Sequence, residues 1–564
     1  MDIKNKLFLI IIFLSSLALR INHSNSYPPL LWDETALGYN AYSISETGRD
    51  EYGQLLPIIF KSFGDYKPGL YIYLALPFVK LLGLTPLTVR LPSILAGSFL
   101  PLLLFFLVKE LLGKQKKAKT IAFLSALALA FSPSAIHFSR GAWETNILAF
   151  ELTLAALFFV RAFRSFVPRS LFFSLSALVF GLSFYTYQGA KLTTPLLVLA
   201  LITAFFKDLK KPKILKGFSK AFLFPLLIFF LPIIISALTS SAGNRLKVMS
   251  LTSYPRPSEE IAQIKSESSS LDYLLFHSQP VFFLRGFAGR YFNHFSPRYL
   301  AFSGDWQNAR HAAPYIGLIL YPSLIFATLG FLFSLSRPTR SHLFFILWLI
   351  FAPIPAALSR DSVSAVRSMN QIVPLAFFTA LGLKVFFALF KNKLFKTILL
   401  LFILSAYLLS FLYYLDLYHQ HLVKHAPKEW LYGHQEVMEF LTQNQDKYQE
   451  IIFSNFYGQP YIYYLFYSSY PPAKYQAQAR LLESEVGDTG QVEKIDNISF
   501  RSLDWKSDSQ KENALLVFSH DEILRQGLDK NPAVFSQLLP MGQLNNWATF
   551  YLYQTNSQFT HPGK

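Results

Sequence analysis

No cysteine occurs in the 564 residues, and that absence removes whole classes of chemistry. Structural disulfides, a thiolate nucleophile and cysteine-ligated zinc are all excluded. Charge is scarce as well: 15% of the residues are Asp, Glu, Lys or Arg, against about 25% in soluble domains. Acids are the scarcer sign, 34 against 52 basic residues. The glycine-rich phosphate loops of soluble nucleotide enzymes are missing, and no histidine spacing matches a metalloprotease or a deaminase. The sequence shows no clear internal repeat, which weighs against a transporter built from repeated halves.

What fills the space is apolar. Hydrophobic residues make up 52% and aromatics 17%, with 57 phenylalanines. Mean hydropathy is +0.31. Several runs approach the ~20 residues needed to cross about 30 Å of hydrocarbon. The chain therefore reads as a polytopic α-helical membrane protein. The net charge of +18 does not mark a nucleic-acid binder, because it is unevenly placed. From Asp416 onward there are 12 Lys and Arg against 17 Asp and Glu, leaving 40 against 17 before it. Most of that excess sits in short loops between apolar runs, the positive-inside pattern.

Six basic clusters set the expected topology: Lys4/Lys6; Lys109 to Lys119; Arg161, Arg164 and Arg169; Lys207 to Lys220; Arg337/Arg340; and Lys391, Lys393 and Lys396. Placing all six on the cytoplasmic side predicts about eleven spans, near 7–21, 91–112, 120–138, 143–161, 170–187, 190–206, 221–239, 313–335, 341–358, 370–390 and 395–415. The first run follows Lys4 and Lys6 as a signal peptide would, but no small-residue cleavage site follows it, so it is read as a retained span. The N-terminus is then cytoplasmic, in a plasma or inner membrane. Long external loops cover about 22–90 and 240–312, and long loops are usually functional. "GLYIYLALPFVKLLGL" (Gly69–Leu84) is short, holds Pro77 and Lys80, and reads as a helix at the outer interface. Residues 1–416 form the membrane domain in this scheme. Residues 417–564 are polar and free of spans, and they predict a small external α/β domain. Its strands would be "EIIFSNF", "ALLVFSH" and "ATFYLYQ", and its helices "QEVMEFLTQNQ" and "DEILRQGLDK".

The first external loop holds Asp33, Glu34, Glu46, Asp50, Glu51 and Asp65 against Arg49, Lys61 and Lys67. Most of these read as solvated loop charge. Asp33 and Glu34 are less ordinary, because the rigid "PPLLW" before them holds the pair near the membrane surface. "TALGYNAYSI" after them suggests an interfacial helix with Thr35 as its cap. A carboxylate there can accept a proton from an incoming hydroxyl, and a neighbouring carboxylate can tune it. Lys67 precedes Pro68, which would open the next helix, so its amine can meet a phosphate beside free backbone N–H groups. Snorkelling to lipid headgroups is the plain alternative for Lys67. "HFSRGAWETN" offers Arg140 and Glu144, whose spacing also fits a simple helix ion pair. "SRDSVSAVRSMNQIVP" offers Arg360, Asp361 and Arg367. "RYFNHFSPRYLAFSGDWQNARH" offers Arg290, His294, Arg298, Asp305, Arg310 and His311.

Taken in order, "LLWDETALGYNAYSISETGRDEYG", "DYKPGLYIYL", "VRLPSILAG" and "HFSRGAWETN" resemble the GT-C glycosyltransferases. The match is to the protein O-mannosyltransferase-like family that includes the lipid A aminoarabinose transferases. It covers residues 1–200 well and the remaining spans loosely. The resemblance implies inverting transfer of a sugar from a polyprenyl-phosphate donor to an acceptor hydroxyl on the external face. Asp33 would be the general base, Glu34 its neighbour that orients the acceptor or tunes it, and Glu144 the family's second acid. Lys67, with Arg140, Arg360 or Arg367, would neutralise the departing polyprenyl phosphate. Relatives that bind a metal carry an acid directly before the KP lysine, where this chain has Tyr66. Asp65, one residue off, and His294 are the candidate ligands for a divalent metal, the one cofactor the reading allows for. The expected partners are the prenyl-linked donor, a protein, lipid or glycan acceptor, and membrane lipid, with no nucleic acid. Two other readings stand beside this one. A polysaccharide polymerase or ligase would rely on a large late loop, and a lipid-linked glycan flippase would place charges inside its spans.

Overall fold

A computed structural model describes residues 3–113, 115, 117–164, 168–239, 250–482, 490–544 and 547–555, with the backbone alone described for Asp65 and for 233–239. Among these residues, six helices are long and apolar enough to cross a membrane: Pro86–Leu112, Ala190–Leu209, Pro212–Pro232, Arg340–Ala357, Ala365–Ala388 and Lys393–His425. Ala118–Ala130 and Pro133–Ser139, bent by 56°, supply a seventh if they are one span. The eleven apolar runs of the sequence all fall largely on helices, but not all of them meet this standard. Ile3–Ile21 carries Lys4, Lys6 and Arg20, and Glu144–Arg161 carries three charges of its own. Arg169–Ser183 and Tyr321–Ser336 are apolar but short.

By compactness the chain divides into two units, Met1–Asn22 with Ser93–Leu422, and His23–Pro92 with Val423–Lys564. The helical unit is packed with aromatics. Phe159 meets Phe173, Phe205, Phe218 and Phe222 edge-on at 5.5–6.0 Å, and Phe345 stacks on Phe377 at 4.0 Å. Two helices in it meet backbone to backbone. A Cβ on Gly330 would lie 2.0 Å from the Phe378 carbonyl oxygen, and one on Gly382 would lie 1.9 Å from that of Phe326. This is the small-residue packing of membrane helices.

In the second unit the first long loop folds together with the polar C-terminal segment, a grouping that the linear order of the sequence hides. The loop contributes a helix, Trp32–Thr47, then a hairpin of β1 (Ile59–Ser62) and β2 (Asp65–Pro68), then a second helix, Leu70–Leu82. At 13 residues the second helix is about 20 Å long, too short to span a bilayer. The C-terminal segment builds strands β3 (Glu450–Phe453), β4 (Leu481–Leu482), β5 (Gln491–Val492), β6 (Lys494–Ile495), β7 (Ile498–Phe500), β8 (Ala514–Ser519), β9 (Leu539–Leu544) and β10 (Trp547–Gln554). Six of them form a mixed sheet in the order β6-β7-β3-β8-β10-β9, with β3 parallel to both β7 and β8. The three strands and two helices expected from the sequence are all present. Tyrosines tie loop to domain: the Tyr39 hydroxyl donates to the Tyr470 carbonyl at 3.0 Å, and that of Tyr463 to Leu30 at 2.9 Å.

Candidate functional site

The acidic pair opens the Trp32–Thr47 helix, in the first turn where N–H groups lack partners and negative charge is favoured. The cap is not Thr35, as the sequence suggested, but Leu31. The Glu34 carboxylate accepts the Leu31 N–H at 3.1 Å, and Thr35 instead donates its hydroxyl to the Leu31 carbonyl. Nor does this helix lie half-wet on an interface, because nearly every residue from Glu34 to Ser43 is buried.

Glu34 and Asp33 have opposite fates. Glu34 is buried and receives two parallel bonds from Arg90, Nε to Oε1 at 2.9 Å and Nη2 to Oε2 at 3.0 Å. Arg90 also donates to the carbonyls of Ser24, Pro28 and Pro29, clamping the Pro-rich turn against the helix start. Both Glu34 oxygens are engaged, Oε1 by Arg90 and Oε2 by Arg90 and the Leu31 N–H. Asp33, one residue earlier, is far more exposed. Its side chain is 43% exposed and forms an ion pair with Lys67 Nζ.

Lys67 reaches Asp33 because of the hairpin, which the sequence reading did not anticipate. β1 and β2 pair antiparallel with Ser62 opposite Asp65, leaving Phe63 and Gly64 as a two-residue turn. Both have positive φ, 55° and 92°, as the tight turn matching strand twist demands. The signal was legible in "KSFGDYK", with glycine at the second turn position. The Phe63 ring lies 5.6 Å from Lys67 Nζ, and the Phe63 carbonyl accepts the N–H of Gly490. After Pro68, Gly69 approaches β1 so closely that a Cβ would lie 2.3 Å from the Phe60 ring.

Behind this pair lies a buried acid that the sequence left among solvated loop charges. Glu51 is fully buried, and Asn40 holds it twice: Nδ2 donates to Oε1 at 3.1 Å, and Oδ1 accepts the Glu51 N–H at 3.0 Å. Burial pushes its carboxyl up to about 8, against the pull of the Asn40 hydrogen bond; Asp50 adds to the rise and Lys67 opposes it. The phenols of Tyr52 and Tyr461, 3.3 Å apart, belong to the same cluster.

The remaining candidates belong to the helical unit. Arg140 ends the Pro133–Ser139 helix while Glu144 begins Glu144–Arg161, so the two do not share a helix face as an i,i+4 pair would. Arg140 is buried, donates to the Leu19 carbonyl at 2.9 Å, and lies 5.1 Å from the centre of the Tyr418 ring. Arg367 and Arg360 both pair with Asp361, and Arg290 also lies within its electrostatic reach. Three guanidinium groups around one carboxylate leave the cluster net positive. Tyr187 feels the charges of Arg367, Glu144 and Asp361 together, and Thr145 donates to the Val366 carbonyl at 2.7 Å. Helix start and arginine loop are thereby held side by side.

His294 is buried with both ring nitrogens engaged: Nδ1 on the Arg290 carbonyl at 2.7 Å, and Nε2 accepting the Ser364 N–H at 3.1 Å. Nδ1 is thus the donor, and the ring's one free lone pair, on Nε2, is taken up by the Ser364 N–H. His311 bonds Asp305 at 2.8 Å, and Asp305 also accepts the N–H of Ala365. Among the described residues no three His, Asp or Glu side chains gather around a common point. The Asp65 side chain lies outside the described residues.

Comparisons with known proteins reach the resemblance read from the loop motifs. Residues 66–236 match the family described as dolichyl-phosphate-mannose-protein mannosyltransferase. Among solved structures the chain is similar to ArnT from Cupriavidus metallidurans, in the apo state with TM-score 0.55 and 12% identity over 96% of this chain and 97% of that one. The same protein bound to undecaprenyl phosphate gives TM-score 0.51 and 13% identity over 98% and 97%. The oligosaccharyltransferase AglB from Archaeoglobus fulgidus, in complex with an inhibitory peptide and a dolichol-phosphate, gives TM-score 0.50 and 13% identity over 83% and 64%. No curated protein sequence matches significantly. The fold is that of the GT-C glycosyltransferases.

Proposed function

We propose that this GT-C chain is an inverting glycosyltransferase, moving a sugar from a polyprenyl-phosphate donor to an acceptor hydroxyl at the external face of a plasma or inner membrane. The observation that carries the reading is the Asp33–Lys67 pair, a half-exposed carboxylate joined to a cation by a hairpin built for that purpose. The relatives' reported ligands, undecaprenyl phosphate and dolichol-phosphate, supply the donor class.

In this mechanism the acceptor oxygen attacks the anomeric carbon and its proton passes to Asp33. The bond from that carbon to the phosphate oxygen breaks, and the electron pair leaves with the polyprenyl phosphate. A phosphate leaving group needs charge stabilisation more than a proton. Lys67, paired with Asp33, supplies a positive charge beside the base. The Arg360, Arg367 and Arg290 cluster is a second anion-binding surface, with Arg140 the buried cation of the same unit. Glu144 is assigned to hold a sugar. Eleven spans, a cytoplasmic N-terminus and an external acceptor-recognising C-terminal domain complete the proposal.

The test is transfer by the purified protein from a prenyl-phosphate-linked sugar to candidate protein, lipid and glycan acceptors. Asp33→Asn is expected to lower the rate about 10²–10⁴-fold, the range for a general base. Full activity in that variant would remove Asp33 from the mechanism.

A further inference from the structure

An apolar groove of about 640 Å³ runs along the helical unit between Ala118–Ala130, Tyr321–Ser336, Ile372–Ala388 and Lys393–Asp416. Its volume lies within the range of small-molecule pockets. Chain direction sorts its lining. Lys117 directly precedes the first of these helices, Lys396 lies in the first turn of the last, and Lys384 lies near the end of the helix before it. All three cations therefore meet at one end. The opposite end is closed by the Phe131–Phe411 ring contact at 5.2 Å and by the Ser323–Tyr407 hydroxyl bond at 3.1 Å. From Lys117 to Phe131 is 14 helical rises, about 21 Å, or roughly two-thirds of a bilayer's hydrocarbon thickness. Among the described residues none of the three lysines has a carboxylate partner.

We propose that this groove binds an anionic glycerophospholipid, one acyl chain lying along it and the headgroup phosphate held by Lys117, Lys384 and Lys396. Length, apolar lining and a cationic mouth match such a lipid; a zwitterionic lipid would bring a cation of its own up to the three lysines. The groove is separate from the Arg367 cluster of the same unit, proposed above as an anion-binding surface. Arg367 and Lys384 stand near opposite ends of the Ala365–Ala388 segment, 17 residues or about 25 Å apart along it. The inference does not depend on the transferase reading.

The experiment is native mass spectrometry of the purified full chain, titrated with phosphatidylglycerol or with phosphatidylcholine of identical acyl chains. Phosphatidylglycerol is expected to bind one per chain, at least tenfold tighter. Each lysine changed to glutamine should weaken it about fivefold, and the triple variant K117Q/K384Q/K396Q about a hundredfold, from a contribution of about 1 kcal/mol per cation. Phosphatidylcholine, whose phosphate is offset by its own choline cation, should be weakened much less. Ala128→Trp, which fills the groove, should weaken both lipids and leaves the lysines intact as an independent check. Equal affinity for the two lipids, or a triple variant that keeps phosphatidylglycerol, would overturn the assignment. So would undecaprenyl phosphate displacing phosphatidylglycerol at lower concentration, which would make the carrier lipid the occupant.

Discussion

Lys67 stands between two anions, the Asp33 carboxylate it pairs with and the phosphate proposed to leave beside it. Lys67→Met is expected to cut kcat/KM about 10²-fold and to raise the donor KM, while Lys67→Arg keeps the charge and recovers part of the loss. Steady-state kinetics with varied donor would separate the two effects. Glu51 gives a second prediction at this scale. Its ordinary value is 4.5 and burial lifts it to about 8, so between those pH values the folded chain holds a proton that the unfolded chain has lost. Stability should fall as pH rises through that window, by up to about 1.4 kcal/mol per pH unit, and level off above it. Glu51→Gln should flatten the slope of melting temperature against pH; an unchanged slope would rule out Glu51 as its source. Asp33 and Lys67 were legible in the sequence because a proline-rich turn and a KP step flank them. Glu51 was not, since nothing in "GRDEYG" distinguishes a buried acid from a wet one.

Elements decide whether those side chains meet. Gly64 holds the hairpin turn at a φ of 92°, where a β-branched residue is strained by about 1–3 kcal/mol. Gly64→Val should lower the melting temperature and raise the donor KM together, with Gly64→Asn milder on both. The Glu34–Arg90 clamp is a buried pair, and Arg90→Met would leave Glu34 uncompensated at a cost of about 3–5 kcal/mol. Thermal melting would check it, and Glu34→Gln made in the Arg90→Met background should recover part of the loss. In the helical unit, Gly330→Leu should destabilise by about 3 kcal/mol, because the added side chain meets the Phe378 carbonyl, not a movable side chain. Helix existence was readable from apolar runs. The Trp32 start was not, because its cap is made by Glu34 reaching back to a leucine's N–H, and leucine carries no capping signal of its own.

At the scale of the whole molecule, the absence of cysteine makes orientation directly measurable. A single cysteine at Lys391 should react with an impermeant maleimide only in inverted vesicles, and one at Lys506 only in right-side-out cells; the reverse pattern would invert the proposed topology. Length, composition and charge placement were enough to establish a polytopic helical chain, because crossing hydrocarbon leaves few solutions and each is written in local hydropathy. Four motifs in order were enough to point to the fold that the structural comparisons find. Three things needed the tertiary structure: the joining of residues 23–92 with 423–564, the separation of Asp33 from Glu34 into an exposed carboxylate and a buried clamp, and the gathering of three distant lysines at one end of a groove. Each depends on contacts between residues tens to hundreds of positions apart. No local pattern encodes such contacts, because what selects them is the burial and pairing of groups that the linear chain holds separate.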